Sequence, residues 1–288
     1  MLIATTADDL RRTVDSWRSA GERIGFVPTM GALHPGHLSL VRLARAHASK
    51  VVASVFVNPT QFGPNDDFGR YPRQPEKDAG MLEEAGCDLL FLPEVETLYP
   101  PGHATFVEPA GAAEGLEGAF RPGHFRGVAT VVTALFNLVR ADLAVFGEKD
   151  AQQLALIRQL VRDLHLPVEI VPGPTLREAD GLAMSSRNAY LSPAERQAAT
   201  VLHRALRAAE TAISQGERSG DAVRARMAEV LNTEPLVRVE YAEVVDADTF
   251  RPVGHLAEAL HGRLVLPLAV RIGGTRLIDN IRLIAEER

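Results

Sequence analysis

The chain has 288 residues, of which 46% are apolar and 24% are charged, and its formal net charge at pH 7 is −6. This composition is typical of a globular protein with an ample core, and the length favours a large domain together with a smaller one. The negative charge argues against broad binding to nucleic acid or to an acidic membrane surface, and no stretch approaches the ~20 apolar residues of a membrane helix. We therefore expect a soluble protein with neither a nucleic-acid partner nor a membrane partner.

The cysteine content and the N-terminus bear on the compartment. Cys87 is the single cysteine of the sequence, which excludes an internal disulfide and fits a reducing environment. The N-terminus becomes acidic at Asp8 and Asp9 before any long apolar run, so we expect no signal peptide. These features together predict a cytoplasmic protein.

The first elements in the chain are predicted to be a helix, a strand and a second helix. Residues 6–20 have a helical apolar pattern, the short run 24–27 is apolar, and residues 38–48 are amphipathic. Between the strand and the second helix, residues 28–37 read PTMGALHPGH. In an open α/β sheet, ligands bind where such a turn leaves the carboxyl end of a strand.

This turn carries two glycines and two histidines. Gly31 and Gly36 allow the backbone to approach a bound group closely, and the N-terminus of a helix attracts anions. His34 and His37 are three residues apart, so on a first helical turn they would share one face and hold one anion together. Three interpretations stay open. The pair forms a nucleotide-phosphate site, or a metal site, for which the stretch offers no third protein ligand, or it consists of two turn histidines that bind nothing.

Four later apolar runs predict buried strands separated by helices. The strands are predicted at residues 51–57, 89–92, 143–146 and 168–171, with helices that end near residue 86 and span 128–139 and 151–164. Residues 93–118, rich in proline and glycine, predict an irregular connection. Because strand and helix alternate five times, we expect an α/β fold with a Rossmann-like, doubly wound parallel sheet.

The pattern changes after the Pro-Gly-Pro sequence at residues 172–174. Two helices and then three strands are predicted, at residues 193–213 and 221–231, and at residues 237–245, 263–270 and 275–278. The glycine pair Gly273-Gly274 predicts a hairpin turn between the last two strands. Helices followed by antiparallel strands predict a smaller α+β domain, so we expect domains at residues 1–176 and 177–288.

Six short stretches follow one another in a specific order. They are PTMGALHPGH at 28–37, NPTQF at 58–62, YPR at 71–73, RPGHFRG at 121–127, FGEKD at 146–150 and MSSRN at 184–188. Together they resemble the pantoate–β-alanine ligases, also called pantothenate synthetases, and the likeness runs from about residue 21 to the end. The first stretch alone resembles only the wider His-x-Gly-His superfamily of nucleotidyltransferases and synthetases, and the other five select the ligase.

The resemblance implies an ATP-dependent condensation of pantoate with β-alanine in two steps. The carboxylate of pantoate attacks the α-phosphorus of ATP, which gives pantoyl-adenylate and pyrophosphate, and the amine of β-alanine then gives pantothenate and AMP. Side chains hold the reactants and neutralise charge, without a covalent enzyme intermediate. The resemblance also implies Mg²⁺ with the ATP, and a homodimer.

Roles for individual residues follow from the same resemblance. The first domain would bind nucleotide and pantoate, and the smaller domain would close over the site. The residues expected to contact ATP are Met30, His34, His37, Gly147, Lys149, Asp150, Leu176, Met184, Ser185, Ser186 and Arg187. Those expected to be catalytic are His34, His37, Lys149, Ser185, Ser186 and Arg187. Those expected to bind pantoate and β-alanine are Thr29, Met30, Asn58, Gln61, Tyr71, Arg121, His124 and Gln153.

The segment after Tyr71 departs from the pattern of the family it resembles. Members often carry adjacent acidic residues where this chain reads Glu76-Lys77-Asp78. Lys77 separates the two carboxylates, so we expect Mg²⁺ to bind through Asp78 alone, together with water and phosphate oxygens.

Two other functions fit part of the pattern. A nucleotidyltransferase that stops at an adenylated product needs no amine site, and it leaves the Gln61 and Gln153 pocket unexplained. An ATP-sensing module would bind the nucleotide without releasing pyrophosphate. Pyrophosphate release with and without β-alanine separates the three functions.

Overall fold

The computed structural model describes residues 1–64, 66–256 and 263–283. The strands are β1 (Leu2–Ala4), β2 (Ile24–Thr29), β3 (Lys50–Val55), β4 (Leu89–Phe91), β5 (Leu143–Gly147), β6 (Glu169–Gly173), β7 (Val237–Ala242), β8 (Val245–Asp246), β9 (Leu264–Ile272) and β10 (Thr275–Leu283). The helices are α1 (Ala7–Ser19), α2 (Pro35–His47), α3 (Pro75–Glu84), α4 (Val95–Leu98), α5 (Leu116–Phe120), α6 (His124–Val139), α7 (Ala151–Asp163), α8 (Pro193–Ala198), α9 (Val201–Ser214) and α10 (Gly220–Leu231). Among the described residues, no helix is both long and apolar enough to cross a membrane.

The chain divides into two compact units. The first comprises Met1–Glu148 and Leu156–Pro174, and the second comprises Lys149–Ala155 and the chain from Thr175 onward. The start of α7 therefore groups with the later part of the chain, although it follows a strand of the first unit.

The first unit is built on a six-stranded sheet in the order β1-β4-β3-β2-β5-β6. Every neighbouring pair is parallel, which confirms the predicted doubly wound α/β fold. Helix α6 packs on one face, where the ring of Phe136 contacts the rings of Phe26 and Phe146. On the other face Val27 and Val51 join a core cluster that includes side chains of α2 and α3. Burial on both faces explains why β2 and β3 are nearly continuous apolar runs.

The strand order places the carboxyl end of β2 at the switch point of the sheet. The chain runs from β2 through β3 to β4 on one side, and β5 and β6 lie on the other side. Ligands of doubly wound folds bind in the crevice at such a point, because the connections leave there in opposite directions.

Several predicted element boundaries differ from the structure. Strand β1 was absent from the predicted pattern because three residues carry no periodicity, and Leu2 and Ile3 are 55% and 57% exposed. Helix α6 begins at His124, four residues before the predicted start, after a left-handed Gly123 with φ +82°. The connection predicted as irregular contains the short helices α4 and α5, and the single helix predicted at 193–213 is broken into α8 and α9.

The second unit has the predicted α+β architecture. Its antiparallel sheet has the order β10-β9-β7, and β8 also pairs with β9. The β9–β10 hairpin turns at Gly273, where φ is +55°. Helices α9 and α10 supply core side chains that pack with those of β9; Leu206, Met227 and Leu268 are each 0% exposed.

Candidate active site

The turn after β2 passes through two left-handed backbone conformations. Gly31 has φ +81°, and Ala32, which carries a Cβ, has φ +52°. The side chain of Thr29 accepts the N–H of Gly31 at 3.2 Å. Asp78 of α3 holds the next two amides, because its carboxylate oxygens accept the N–H groups of Ala32 and Leu33, each at 2.9 Å. The turn is therefore fixed by side-chain acceptors on both sides.

Asp78, predicted from the sequence as a magnesium ligand, has a different role in the structure. It is 1% exposed, and each of its oxygens accepts a backbone N–H. Its neighbours Glu76 and Lys77 are not buried with it. Within the described ranges, no group of three or more His, Cys, Asp or Glu side chains is arranged to hold a metal ion. The Asp78 carboxylate therefore does not fit the predicted metal site.

The two histidines lie together at the start of α2. His34 is the N-cap in extended conformation rather than a member of the first helical turn, and its Nδ1 accepts the N–H of Gly36 at 3.1 Å. The Nδ1 of His37 accepts the N–H of His34 at 3.4 Å, and the two ring centroids are 4.1 Å apart. A ring nitrogen accepts only when it carries no proton, so these bonds assign the proton of each neutral ring to Nε2. The pair thus presents Nε2–H donors at the positive end of a helix.

A buried hydrogen-bond network follows β3. The amide of Asn58 donates to Gln61 Oε1 at 3.0 Å and to the carbonyl of Gly127 at 3.1 Å. Its own oxygen accepts from the hydroxyl of Tyr99 at 2.8 Å. Gln61 Nε2 lies 3.1 Å from the sulfur of Met30, which joins this loop to the turn after β2. The structure therefore brings together three predicted substrate-binding residues and adds Tyr99, which sequence reasoning missed.

Gly127 is required for the close approach of α6 to this loop. A Cβ added there would lie 2.4 Å from the carbonyl oxygen of Thr60, far inside van der Waals contact. The RPGHFRG stretch therefore includes a glycine whose role is packing against the NPTQF loop, a role that only the tertiary structure reveals.

His124 and Arg121 hold Gln61 through its main chain. His124 Nδ1 lies 2.9 Å from the carbonyl oxygen of Gln61, and Arg121 lies 3.1 Å from His124 Nε2 and 3.0 Å from Asp66. Burial and then the charge of Arg121 lower the pKa of His124 to about 4, so the ring is neutral at pH 7. Neutral His124 can donate to Gln61 through Nδ1–H while Nε2 accepts from Arg121.

Asp66 completes this arrangement from the adjoining loop. Burial alone would raise its pKa, but the N–H of Gly63 and the guanidinium of Arg121 outweigh that effect and hold the pKa of Asp66 below its usual value. Asp66 therefore stays ionised and fixes Arg121. A sequence pattern gives no signal for it, because Asp66 is one of two adjacent aspartates in a polar loop.

In the second unit, Leu176 and Met184 form the two ends of a narrow hairpin. The N–H of Met184 donates to the carbonyl of Leu176 at 3.0 Å, and the chain reverses at Gly181, where φ is +92°. Ser185 then caps a short 3-10 turn and accepts the N–H of Arg187 at 3.3 Å. Five predicted ATP-binding residues thus belong to one continuous segment, Leu176, Met184, Ser185, Ser186 and Arg187.

Strand β10 fixes both this hairpin and Lys149. Arg177 makes two bonds to the carboxylate of Asp279, at 2.7 and 3.0 Å, and the side chain of Asp279 is 0% exposed. The amide of Asn280 donates to the carbonyl of Lys149 at 2.8 Å. The ammonium of Lys149 lies 3.5 Å from Asp150 Oδ1. No sequence pattern indicated Asp279 or Asn280, because strand periodicity shows which face a residue occupies and not which turn it contacts.

The remaining predicted site residues are Tyr71, Gly147 and Gln153. Tyr71 is 5% exposed and packs edge-on against Phe62, with ring centroids 5.9 Å apart. Gly147 ends β5 and pairs in register with Gly173 of β6. Gln153 is half-buried on the first turn of α7.

This fold and site define a class of protein. It is a doubly wound α/β protein that carries polar side chains at the carboxyl ends of its central strands. At the N-terminus of a helix it also carries two imidazole donors, which suit phosphate. The chain matches the family model described as pantoate-beta-alanine ligase over residues 2–282. With a match of this extent, the chain belongs to the pantoate–β-alanine ligase family.

Individual relatives support this membership. The chain is 53% identical over 281 residues to the pantothenate synthetase of Herpetosiphon aurantiacus, and the match covers 98% of this chain and 99% of that protein. It is 54% identical over 280 residues to the pantothenate synthetase of Chloroflexus aggregans, with 97% and 99% covered.

Solved structures agree with the sequence relatives. The crystal structure of pantothenate synthetase from Thermus thermophilus matches with a TM-score of 0.92 and 49% identity, covering 99% of this chain and 100% of that chain. The ligase from Francisella tularensis, whose crystal structure is of a complex with beta-gamma ATP and beta-alanine, matches with a TM-score of 0.78 and 33% identity, covering 98% and 97%. The chain is therefore an enzyme, a carbon–nitrogen ligase that uses ATP to condense pantoate with β-alanine.

Proposed function

We propose that this chain forms pantothenate through a pantoyl-adenylate and that His34 and His37 act in the first half-reaction. The observation that carries the proposal is the geometry of the pair, whose Nδ1 atoms are engaged by backbone N–H groups at the start of α2. A carboxylate oxygen of pantoate attacks the α-phosphorus of ATP, and pyrophosphate leaves with its bonding electrons. Nε2–H donors and the positive end of α2 favour the negative charge that develops on that leaving group.

We propose that pantoate binds beside Met30 and Gln61. Gln61 is 8% exposed, its Oε1 accepts from Asn58, and its Nε2 faces a thioether sulfur, which is a weak acceptor. A carboxylate or hydroxyl of pantoate is a better acceptor for that amide. Gln153 would supply a second amide to pantoate, and Thr29 and Tyr71 would also contact this substrate, as the resemblance implies.

Arg121, His124 and Asn58 act on this pocket through Gln61. His124 and Arg121 contact its main-chain carbonyl, at 2.9 and 3.4 Å, and Asn58 contacts its side chain. We propose that these three residues position Gln61, so that its amide meets pantoate in one orientation. Preorganised donors of this kind cost little reorganisation when the substrate arrives.

We propose that ATP is held by Lys149 and by the Leu176–Arg187 segment. A lysine in the turn between β5 and α7 is a mobile point charge that suits phosphate oxygens, with Gly147 and Asp150 beside the nucleotide. Ser185, Ser186 and Arg187 would contact the triphosphate, since hydroxyls and a guanidinium donate to phosphate oxygens.

Magnesium, the assembly and the location rest on family membership alone. We propose that ATP is used as its Mg²⁺ complex, in which the ion would screen the charge of the phosphates. A homodimer and a cytoplasmic location are proposed on the same ground.

In the second half-reaction the amine of β-alanine attacks the carbonyl carbon of the adenylate. The bond from that carbon to the phosphate oxygen breaks, AMP leaves with the bonding electrons, and the nitrogen gives up a proton. No pyrophosphate is present in this step, so the phosphate-binding residues have no charge of that kind to stabilise. This difference separates the two half-reactions experimentally.

The test uses His34→Ala and Lys149→Ala in the full-length chain. We expect both to reduce pantoate-dependent exchange of labelled pyrophosphate into ATP by about 10²–10³-fold, the usual effect of removing one preorganised donor. Supplied with pantoyl-adenylate and β-alanine, both variants should form pantothenate much faster than they do from ATP.

His47→Ala is the matched control, because His47 is exposed at the opposite end of the same helix. It should leave both half-reactions unchanged. An equal loss of exchange and of adenylate aminolysis in His34→Ala and Lys149→Ala would contradict the phosphate-specific roles.

A further inference from the structure

A buried carboxylate lies directly behind the turn that presents the histidines. Asp78 is 1% exposed, and its two oxygens accept the N–H groups of Ala32 and Leu33, each at 2.9 Å. The side chain of Gln74 lies 3.5 Å from one of these oxygens. Hydrogen bonds from backbone N–H groups to a buried carboxylate are strong, since each bond is charge-assisted.

The backbone that Asp78 holds is one that the chain would not adopt alone. Ala32 has φ +52°, a left-handed conformation that residues with a Cβ rarely occupy. Gly31, at φ +81°, is also tightly packed, because a Cβ there would lie 2.9 Å from Asp78 Oδ2 and 3.0 Å from Val55 Cγ1. The two bonds from Asp78 offset the cost of this conformation.

The conformation of this turn determines where the histidines lie. Leu33, whose N–H Asp78 accepts, directly precedes His34, and the N–H of His34 is the group that His37 Nδ1 accepts. A change in the path at Ala32 and Leu33 would therefore move both imidazole rings. Asp78 lies behind the turn and is itself shielded from solvent.

We propose that Asp78 is a positioning residue for the first half-reaction, which acts by holding the Gly31–His34 turn in the conformation that aims the His34 and His37 donors. This inference rests on the phosphate role proposed above for the two histidines. It replaces a metal-binding role for Asp78 with a role inside the protein, as an acceptor of two backbone N–H groups.

The first test compares Asp78→Asn with Asp142→Asn in the full-length chain. The asparagine amide at 78 would face two N–H groups with at most one acceptor oxygen, so the turn should lose its conformation. Asp142 is the matched control, because its carboxylate accepts the N–H of Ile24 at 2.7 Å, at the opposite end of the same strand β2. Both variants should lower the unfolding temperature.

Only Asp78→Asn should separate the two half-reactions. We expect its pyrophosphate exchange to fall by about 10²-fold, the order of loss that a misplacement of about 1 Å causes. Aminolysis of supplied pantoyl-adenylate should be nearly unchanged in both variants. If Asp78→Asn lowers both half-reactions equally, or behaves like Asp142→Asn, the positioning role is wrong.

The second test is a double-mutant cycle with the histidines. In a His34→Ala/His37→Ala background, Asp78→Asn should reduce exchange only slightly further, because the groups that it positions are gone. Full additivity of the losses would overturn the inference. If the histidine variants by themselves leave exchange intact, the proposed phosphate role fails instead, so the two failures are distinguishable.

Two variants keep the inference testable if Asp78→Asn folds poorly. Adding Ala32→Gly removes the left-handed strain and should restore part of the exchange activity. Gly31→Ala leaves Asp78 chemically intact but crowds its carboxylate, and it should show the same selective loss of exchange. Absence of rescue in the first variant, or equal loss of both half-reactions in the second, would contradict the proposal.

Discussion

Contacts on three sides restrict the orientation of Gln61. Its carbonyl is contacted by His124, its Oε1 by Asn58, and its Nε2 faces the sulfur of Met30. The three contacts come from different parts of the chain and engage three different atoms of Gln61. The side-chain amide therefore has one orientation available, with its nitrogen towards Met30.

We predict that Gln61→Ala weakens the use of pantoate far more than that of ATP. A substrate group left without its partner in a buried site typically costs about 1–3 kcal/mol, and more if the group is charged. Steady-state kinetics with pantoate varied at saturating ATP should show a raised KM or a reduced kcat/KM of that order. Equal weakening towards both substrates would mean that the pocket has been assigned to the wrong residues.

At the scale of elements, the two consecutive residues Asp279 and Asn280 of β10 hold two separate parts of the second unit. Asp279 pairs with Arg177 in the hairpin, and Asn280 donates to the carbonyl of Lys149. Neighbouring side chains of a strand point in opposite directions, so the side chains of Asp279 and Asn280 reach different partners. The hairpin and the lysine turn therefore depend on one strand.

We predict that Asp279→Asn destabilises the protein by about 3 kcal/mol, because it leaves the guanidinium of Arg177 without its charged partner in a buried setting. Denaturant unfolding followed by circular dichroism measures the change. Glu229→Gln is the control, because the pair of Glu229 with Arg226 is exposed, and exposed pairs contribute roughly 1 kcal/mol or less. Similar effects of the two substitutions would show that burial of the Asp279 pair has no energetic consequence.

At the scale of the whole molecule, stability is predicted to depend on the protonation of one buried imidazole. The pKa of His124 is lowered to about 4 from an ordinary value of 6.5. Between these two values the unfolded chain binds more protons than the folded one, so the free energy of unfolding decreases as pH falls through this window. The contribution is complete above pH 6.5 and lost progressively down to about pH 4, and it amounts to about 3 kcal/mol.

Urea unfolding at a series of pH values tests this dependence. His124→Asn is the informative variant, because its amide can still donate to the carbonyl of Gln61 but does not titrate. The slope of stability against pH between 4 and 6.5 should be shallower in the variant than in the parent chain. Identical slopes would show that another group dominates the loss of stability in acid.

Local patterns in the sequence were sufficient to predict the fold class and the family. Alternating apolar runs and helical periodicity predicted a parallel doubly wound sheet and a smaller α+β unit, because the period of burial depends only on the local backbone. The six ordered stretches predicted the ligase family, because each places specific side chains next to a turn or a strand end. Short elements such as β1 and α4 were missed, since three or four residues carry too little periodicity.

Contacts between residues distant in sequence were decided only by the tertiary structure. Asp78 and the turn at Ala32 are 46 positions apart, and Asp279 and Arg177 are 102 apart. From the sequence, an aspartate in a charged segment suggests a metal ligand as readily as a partner for a backbone amide. Only the packing of α3 behind the turn brings the oxygens of Asp78 to two backbone N–H groups, and these bonds give the buried carboxylate a role within the protein. The sequence alone determined the longer elements and the chemistry that their ends carry. The tertiary structure decided which buried polar groups satisfy one another, because that depends on the packing of elements remote in the chain.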